Sequence, residues 1–189
     1  TVDSQLNIND MNKVILVTGA AGSIGSGMVH QLTGYNPSKI ILLDQAESAI
    51  YDFHNELISQ DLVGNVEIVV GDIRNELRML KLFESLKPEV VFHAAAYKHV
   101  PLMEVNPTEA VHTNVLGTKI LIDLADKFKV NKFVMISTDK AVSPTNVMGA
   151  SKRIAEMYAQ HKNEISDTQY VITRFGNVLG SNGSVIPLF

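Results

Sequence analysis

Six short apolar runs, rich in β-branched residues, alternate along this chain with longer stretches of helical spacing. The runs are KVILVTG (13–19), KIILLD (39–44), VEIVVGD (66–72), EVVFHAAA (89–96), KFVMIST (132–138) and YVITRF (170–175). Each is apolar nearly throughout rather than at alternate positions, the pattern of strands buried on both faces. Between them, 22–33, 46–60, 74–86, 107–129 and 147–164 carry helix-like spacing. In 107–129 the stripe runs through Ala110, Val111, Asn114, Leu121, Leu124, Ala125 and Phe128. Short buried strands alternating with helices require right-handed crossovers, and the fold class that follows is α/β with a doubly wound parallel sheet.

The chain has 189 residues, enough for one domain with a sizeable core. A net charge of -4 gives no electrostatic reason to expect nucleic acid as a partner. Cysteine is absent, which removes disulfides and thiolate metal sites. His93, His99 and His112 lack the spacing of a zinc site, so no metal is expected. No run approaches eighteen apolar residues, and the opening is too polar for a signal peptide. Residues 1–12, TVDSQLNINDMN, read as a polar arm or the remnant of something upstream. The other end stops in apolar GSVIPLF, and the expectation is a fragment cut at both ends.

The first run leads straight into GAAGSIG, which places Gly19, Gly22 and Gly25 between a strand and a helix. Glycines there allow a tight turn and bring backbone close to a pyrophosphate. The helix start, with Ser23 and Ile24, then offers free N–H groups and a positive dipole end. Asp44 closes the second run, nineteen positions beyond Gly25. A carboxylate there can accept both hydroxyls of an adenosine ribose and repels a 2′-phosphate, and no arginine follows in LLDQAES. NAD is therefore favoured over NADP; the plainer role for Asp44 is to cap the next helix. Asp72 and Ile73 in GDIR are placed to meet the adenine. Ala94 and Ala95, in HAAA, are small enough for a cofactor to lie against the backbone.

STDKAVSPTNVMGASK (137–152) carries the chemistry. Thr138 offers a hydroxyl at the carboxyl end of a strand, where ligands bind in open α/β sheets. Asp139 can act as a general acid if its pKa is raised. Lys140 can act as a general base only when deprotonated, and bringing a lysine to neutrality costs roughly 4–5 kcal/mol, which burial near other positive charge would supply. Met148 and Lys152 sit four apart on the following helix, where many nicotinamide-dependent enzymes have Tyr and Lys. Lys152 can hold the nicotinamide ribose; Met148 has no proton to give and reads as a packing and pocket-wall residue. An acid, a potential base and a hydroxyl within three residues exceed what simple alcohol oxidation needs. They suit a sugar oxidised at C4, deprotonated at C5 by Lys140, and relieved of its C6 hydroxyl as water by Asp139.

The glycine spacing, HAAA, Asn114 in NVLGT and the Lys152 helix together resemble the extended short-chain dehydrogenase/reductase superfamily, over residues 13 to about 180. Within it, LLDQAESAIYD, FHAAAYKHVPLMEVNP, STDKAVSPTNVMGASKR and RFGNVLGSNGSVIP are similar to the UDP-N-acetylglucosamine 4,6-dehydratase group of polysaccharide-biosynthesis proteins. Thr138-Asp139-Lys140 stands where glucose-type 4,6-dehydratases carry Thr-Asp-Glu. Methionine at position 148 fits the group's large, membrane-anchored branch. The resemblance implies a Rossmann domain over 13–189 with tightly held NAD and a UDP-sugar substrate, in capsular or surface polysaccharide or glycan biosynthesis. It implies a homo-oligomer and, for the full-length protein, upstream membrane helices that leave this domain at the cytoplasmic face of the inner membrane. Relatives continue past IPLF into a substrate-binding lobe, so the chain is expected to be truncated before it, with a partial substrate site.

The loop AAYKHVPLMEVNP after the fourth run should border the sugar. Lys98 and His99 are its candidate contacts. By resemblance Asn177, in RFGNVLG, binds the nucleotide diphosphate and Arg174 shapes that loop. A nucleotide-sugar 4-epimerase shares the hydride step but needs no acid and base at C5 and C6. A non-catalytic NAD sensor would need neither Thr138-Asp139-Lys140 nor Lys152. Both remain as alternatives.

Overall fold

Six parallel strands form one sheet in the order β3-β2-β1-β4-β5-β6, as seen in a computed structural model that describes residues 12–176. The strands are β1 (Val14–Thr18), β2 (Lys39–Asp44), β3 (Val66–Val70), β4 (Val90–His93), β5 (Lys132–Thr138) and β6 (Gln169–Phe175). β1 lies between β2 and β4, with Val17 opposite Leu42 on one side and Phe92 on the other. The strand order reverses there, so the crevice at the carboxyl ends of β1 and β4 is the ligand position of a doubly wound sheet.

The near-continuous apolarity of the runs has its reason in two cores, one on each face. Helices α1 (Ser23–Thr33) and α2 (Glu47–Ser59) cover the face built from Ile15, Val17, Ile40, Leu42, Phe92 and Val134. Helices α3 (Glu76–Leu86), α6 (Thr118–Lys127) and α7 (Val147–Ile165) cover the other, where Leu16, Ile41, Leu43, Val91, Phe133 and Met135 pack. Successive strand residues thus serve opposite layers, and the polar strand residues that are buried, Thr18, His93 and Ser137, lie at the carboxyl ends of β1, β4 and β5.

Three details differ from the expected elements. β4 stops at His93, so Ala94–Ala96 lie past the sheet, although the Ala94 N–H still bonds Thr18 O at 3.0 Å. The loop after it folds into a short helix, α4 (Val100–Val105), with Pro101 in its first turn. The segment 107–129 is not one α-helix. It comprises α5 (Pro107–Ala110), a π-helical stretch over Val111–Gly117, and α6. The wider π turn changes the phase, so Val111, expected on the buried stripe, is 42% exposed while Thr113, Asn114 and Gly117 turn inward.

Candidate functional site

At the carboxyl edge of β1, Gly19 takes a φ of +67°. A side chain there would be strained, and its Cβ would stand 2.6 Å from Ala95 N. The turn is therefore pressed against the segment leaving β4. Gly25 is equally constrained, because a Cβ would come within 2.1 Å of Gly19 O. Helix α1 starts with Gly22 as its N-cap and no side chain capping it, which leaves its dipole end facing the crevice. Ser23 and Ile24 lie half-buried in that first turn.

Asp44 joins the glycine turn to the next crossover. Its Oδ2 accepts the Ala21 N–H at 3.0 Å and its Oδ1 accepts the Ala46 N–H at 3.0 Å. Helix α2 has Ala46 as its N-cap with no side chain capping it, so Asp44 is not the cap the sequence allowed; its two backbone contacts leave room for a ligand, since each carboxylate oxygen retains a second lone pair.

These elements frame an open cleft of about 160 Å³, lined by Gly19, Gly22, Asp44, Ile73, Ala94 and Ala95 among the expected residues. Ala96, the last of the expected HAAA run, also lines it, as do Leu43, Gln45, Gly71, Tyr97 and Thr113, which were not singled out from sequence. Thr113 is 5% exposed, and its Oγ1 is buried without a hydrogen-bond partner. An orphaned hydroxyl at a cleft wall awaits a ligand acceptor or donor. Its signal in the sequence was hidden by the π turn, which an α-helical reading of 107–129 does not contain.

Asp72 departs from its expected place. Its carboxylate accepts the Arg74 Nε–H at 2.8 Å and the Arg74 backbone N–H at 2.8 Å, and Arg74 also binds Glu109 at 2.8 Å. Burial pushes the Asp72 pKa up, but these Arg74 contacts outweigh it and hold the carboxyl below its usual range. Asp72 is thus engaged in a bridge from β3 to α5 and is absent from the cleft wall, whereas its neighbour Ile73 lines it.

The proposed reactive segment lies one strand over. β5 ends at Thr138, and Asp139–Ala141 form a single 3₁₀ turn. The Thr138 hydroxyl donates to Asp139 Oδ1 at 3.0 Å, and Lys140 Nζ stands 3.2 Å from the same oxygen. Two expectations need correction. The Thr138 hydroxyl and Lys140 together hold the Asp139 carboxyl below its ordinary pKa rather than raising it. Lys140 is only partly covered, at 35% side-chain exposure, and not buried. The buried lysine is Lys152, 6% exposed, whose Nζ donates to Ile136 O at 2.8 Å. Burial pushes its pKa down to about 8, and the Glu156 charge opposes that fall. Neither Thr138–Lys140 nor Lys152 lines the cleft described above, which is the half nearest Asp44.

Met148 is 3% exposed and packs with Met103 and Ala110, flanked by Tyr97, Val100 and Val147. Its packing role is what the sequence suggested; it is sealed beneath the loop that follows β4 and absent from the cleft wall. The loop is tied to α7 by Asn114, which accepts the Tyr97 N–H at 2.8 Å and donates to Tyr97 O at 2.9 Å and Ser151 Oγ at 3.0 Å. Lys98 and His99 are exposed beyond that clamp. Beneath the cleft His93 is fully buried between Thr18 Oγ1 (2.7 Å) and Thr118 Oγ1 (2.9 Å), and burial with nearby Lys152 pulls its pKa down to about 3, so it is neutral. Asn177 lies outside the described residues. Among the described residues no helix is long and apolar enough to cross a membrane, and no group of three His, Asp or Glu could hold a metal.

Residues 15–189 match the family described as polysaccharide biosynthesis protein. The chain is 56% identical, over 94% of its length, to the capsular polysaccharide biosynthesis protein CapD of Staphylococcus aureus, of which it covers 30%. It is 38% identical to a UDP-glucose 4-epimerase of Rickettsia canadensis, covering 95% of this chain and 53% of that one. Against an inverting UDP-N-acetylglucosamine 4,6-dehydratase of Campylobacter jejuni the identity is 36%, over 94% of this chain and 52% of the other. The chain therefore spans about half, or less, of these relatives. Among solved structures, Pen from Bacillus thuringiensis superposes with a TM-score of 0.86 at 37% identity, over 94% of this chain and 54% of that one. A double mutant of DesIV, a dTDP-glucose 4,6-dehydratase from Streptomyces venezuelae with NAD and DAU bound, superposes with a TM-score of 0.78 at 25% identity, over 92% and 60%. With that match over nearly its whole length, the chain belongs to the polysaccharide biosynthesis protein family.

Proposed function

We propose that this chain carries the cofactor cleft and catalytic edge of an NAD-dependent nucleotide-sugar 4,6-dehydratase acting on UDP-N-acetylglucosamine. The residues fit a dinucleotide: a side-chain-free turn where Gly19 meets Ala95, a carboxylate at the end of β2, and the unpartnered Thr113 hydroxyl in the wall. Asp44 would accept the adenosine ribose hydroxyls and disfavour a 2′-phosphate, the α1 N-terminus would face the pyrophosphate, and Thr113 would complete its hydrogen bonding on the same ligand. Lys152 would hold the nicotinamide ribose. NAD, when bound, supplies a hydride acceptor at C4 and returns the same hydride at C6.

The observation that carries the reading is the Asp139–Lys140 ion pair at the β5 edge. The elimination needs a neutral amine to take the C5 proton and a protonated carboxyl to release the C6 hydroxyl as water. As an ion pair, the two side chains already hold the one proton these two roles share. Enclosure by substrate disfavours both charges together and lowers the cost of moving that proton to Asp139. Thr138, bonded to Asp139, keeps the pair oriented and offers its hydroxyl to the sugar. The lowered Asp139 pKa is thus a property of the open pair, and the acid form belongs to the closed one.

A 4-epimerase would use the same cleft, and relatives of that name support this second reading. It has no use for an acid and a base at C5 and C6. Lys98, His99 and Asn177 are assigned to the substrate side, and the similarity to an anchored branch supports a site at the cytoplasmic face of the inner membrane. Incubating the full-length protein with UDP-N-acetylglucosamine separates the readings: a product lighter by one water supports dehydration, and a C4 epimer of unchanged mass overturns it.

A further inference from the structure

The Glu156 carboxylate is the most densely bonded side chain among the described residues and plays no part in the chemistry above. It is 0% exposed on α7. Its Oε1 accepts the Ser137 hydroxyl at 2.6 Å and Arg174 Nε–H at 2.9 Å; its Oε2 accepts Arg174 Nη2–H at 2.6 Å and Arg153 Nη1–H at 3.1 Å. Burial alone would raise its pKa, yet Arg174, Ser137 and Arg153 hold it below the ordinary range, so the charge persists. Two of these partners adjoin residues of the proposed site, Ser137 next to Thr138 and Arg153 next to Lys152. Ser137 immediately precedes Thr138 on β5, Arg174 lies directly opposite Ser137 on β6, and Lys152 is one turn before Glu156 on α7.

We propose that Glu156 is a positioning residue of the dehydratase site, whose buried carboxylate locks the β5 edge to α7 and β6 and sets a negative charge one helical turn from Lys152. This deepens the function proposed above and rests on it. Two arginines from different elements converge on one carboxylate, and a neutral side chain in its place would leave them without a counter-charge. The groups that bear on Lys152 are Glu156 on its own helix, neutral His93 from β4 and Ile136 O from β5, while Arg153 from α7 and Arg174 from β6 bond Glu156 itself. Beyond the β5 end stands the Asp139–Lys140 pair. Only Glu156 brings negative charge to bear on Lys152 within this group. Ser137 conveys the second effect, since its hydroxyl ties the strand residue before Thr138 to Glu156.

The test uses the full-length protein stripped of cofactor, with NAD affinity followed from pH 7 to 10 and turnover of UDP-N-acetylglucosamine measured alongside. Wild-type affinity should fall on the alkaline side as Lys152 loses its proton. In Glu156→Gln that fall should move to lower pH by about one unit, and in Glu156→Asp, which restores the charge, it should return towards wild type. Ser137→Ala should lower kcat about tenfold while NAD affinity stays within about twofold. A Gln variant that folds with its alkaline fall unmoved overturns the proposal. So does a wild-type affinity flat from pH 7 to 10, an Asp variant displaced as far as Gln, or a Ser137→Ala enzyme with wild-type kcat. Should Glu156→Gln fail to fold, the Asp and Ser137 variants decide alone. A wild type that makes only a C4 epimer removes the dehydratase reading but leaves the pH comparison intact.

Discussion

Asp44 binds two backbone N–H groups through opposite oxygens, so its loss acts on the turn as well as on the ligand. Asp44→Asn should weaken NAD binding about tenfold or more, since each hydrogen bond to a charged group contributes roughly 1.5–3 kcal/mol. The preference for NAD over NADP should shrink at the same time, because the repelling charge is gone; titrating both cofactors against the variant checks this. Lys152 gives a second residue-scale test. Its folded pKa of about 8 lies below the usual lysine value, so the unfolded chain binds the extra proton between these pH values and stability rises with pH across that window. Below pH 8 the buried charge is a standing cost. Lys152→Met should therefore be more stable at pH 7, on the order of 1–3 kcal/mol, with the advantage fading towards pH 10.5. Thermal melts of both proteins across that range would show it, and a variant less stable at pH 7 would contradict the pKa assignment. Asp44 was legible in the sequence because strand-end spacing alone places it. The protonation of Asp139 was not, because nothing in the letters STDK says that the Thr138 hydroxyl folds onto its neighbour's carboxylate.

At the scale of elements, the β1–α1 unit depends on specific absences of side chain. Gly25→Ala would drive a methyl to within 2.1 Å of Gly19 O, against backbone that cannot yield. It should destabilise the protein by about 2 kcal/mol or more and abolish NAD binding. Gly27, two residues on in the same helix, meets nothing within 4 Å. Gly27→Ala should be neutral or stabilising by up to about 1 kcal/mol, from helix propensity alone. Melting temperatures and NAD titrations of the two variants, side by side, distinguish a built cradle from a generic glycine-rich helix. The strands were readable because burial on both faces writes an unbroken apolar run. The π stretch at Val111–Gly117 was not, since apolar spacing cannot announce a one-residue change of helical phase, and with it Thr113 was lost from view. Helix α4 was missed for a different reason: six residues are too few to show a period, and only Pro101 hinted at a start.

Across the whole molecule, the sheet order brings β1, β4 and β5 side by side, so residues far apart in sequence open on one edge. Gly19, Ala95 and Thr138 follow three neighbouring strands, while α7 returns Lys152 and Glu156 beneath them. That convergence follows from strand-helix alternation and was legible in outline. The Arg174–Glu156–Ser137 knot was not, because it joins β6, α7 and β5 through side chains whose meeting only the packed fold determines. The account as a whole turns on proton removal from carbon at the β5 edge. The direct test is turnover of UDP-N-acetylglucosamine by the full-length protein in deuterium oxide, with C5 of the product examined by NMR. One solvent deuterium should appear at C5 in the wild-type product, and Lys140→Ala should lose that exchange while still binding NAD. A product that keeps its original hydrogen at C5, or equal exchange in the variant, would contradict the assignment of this edge to dehydration.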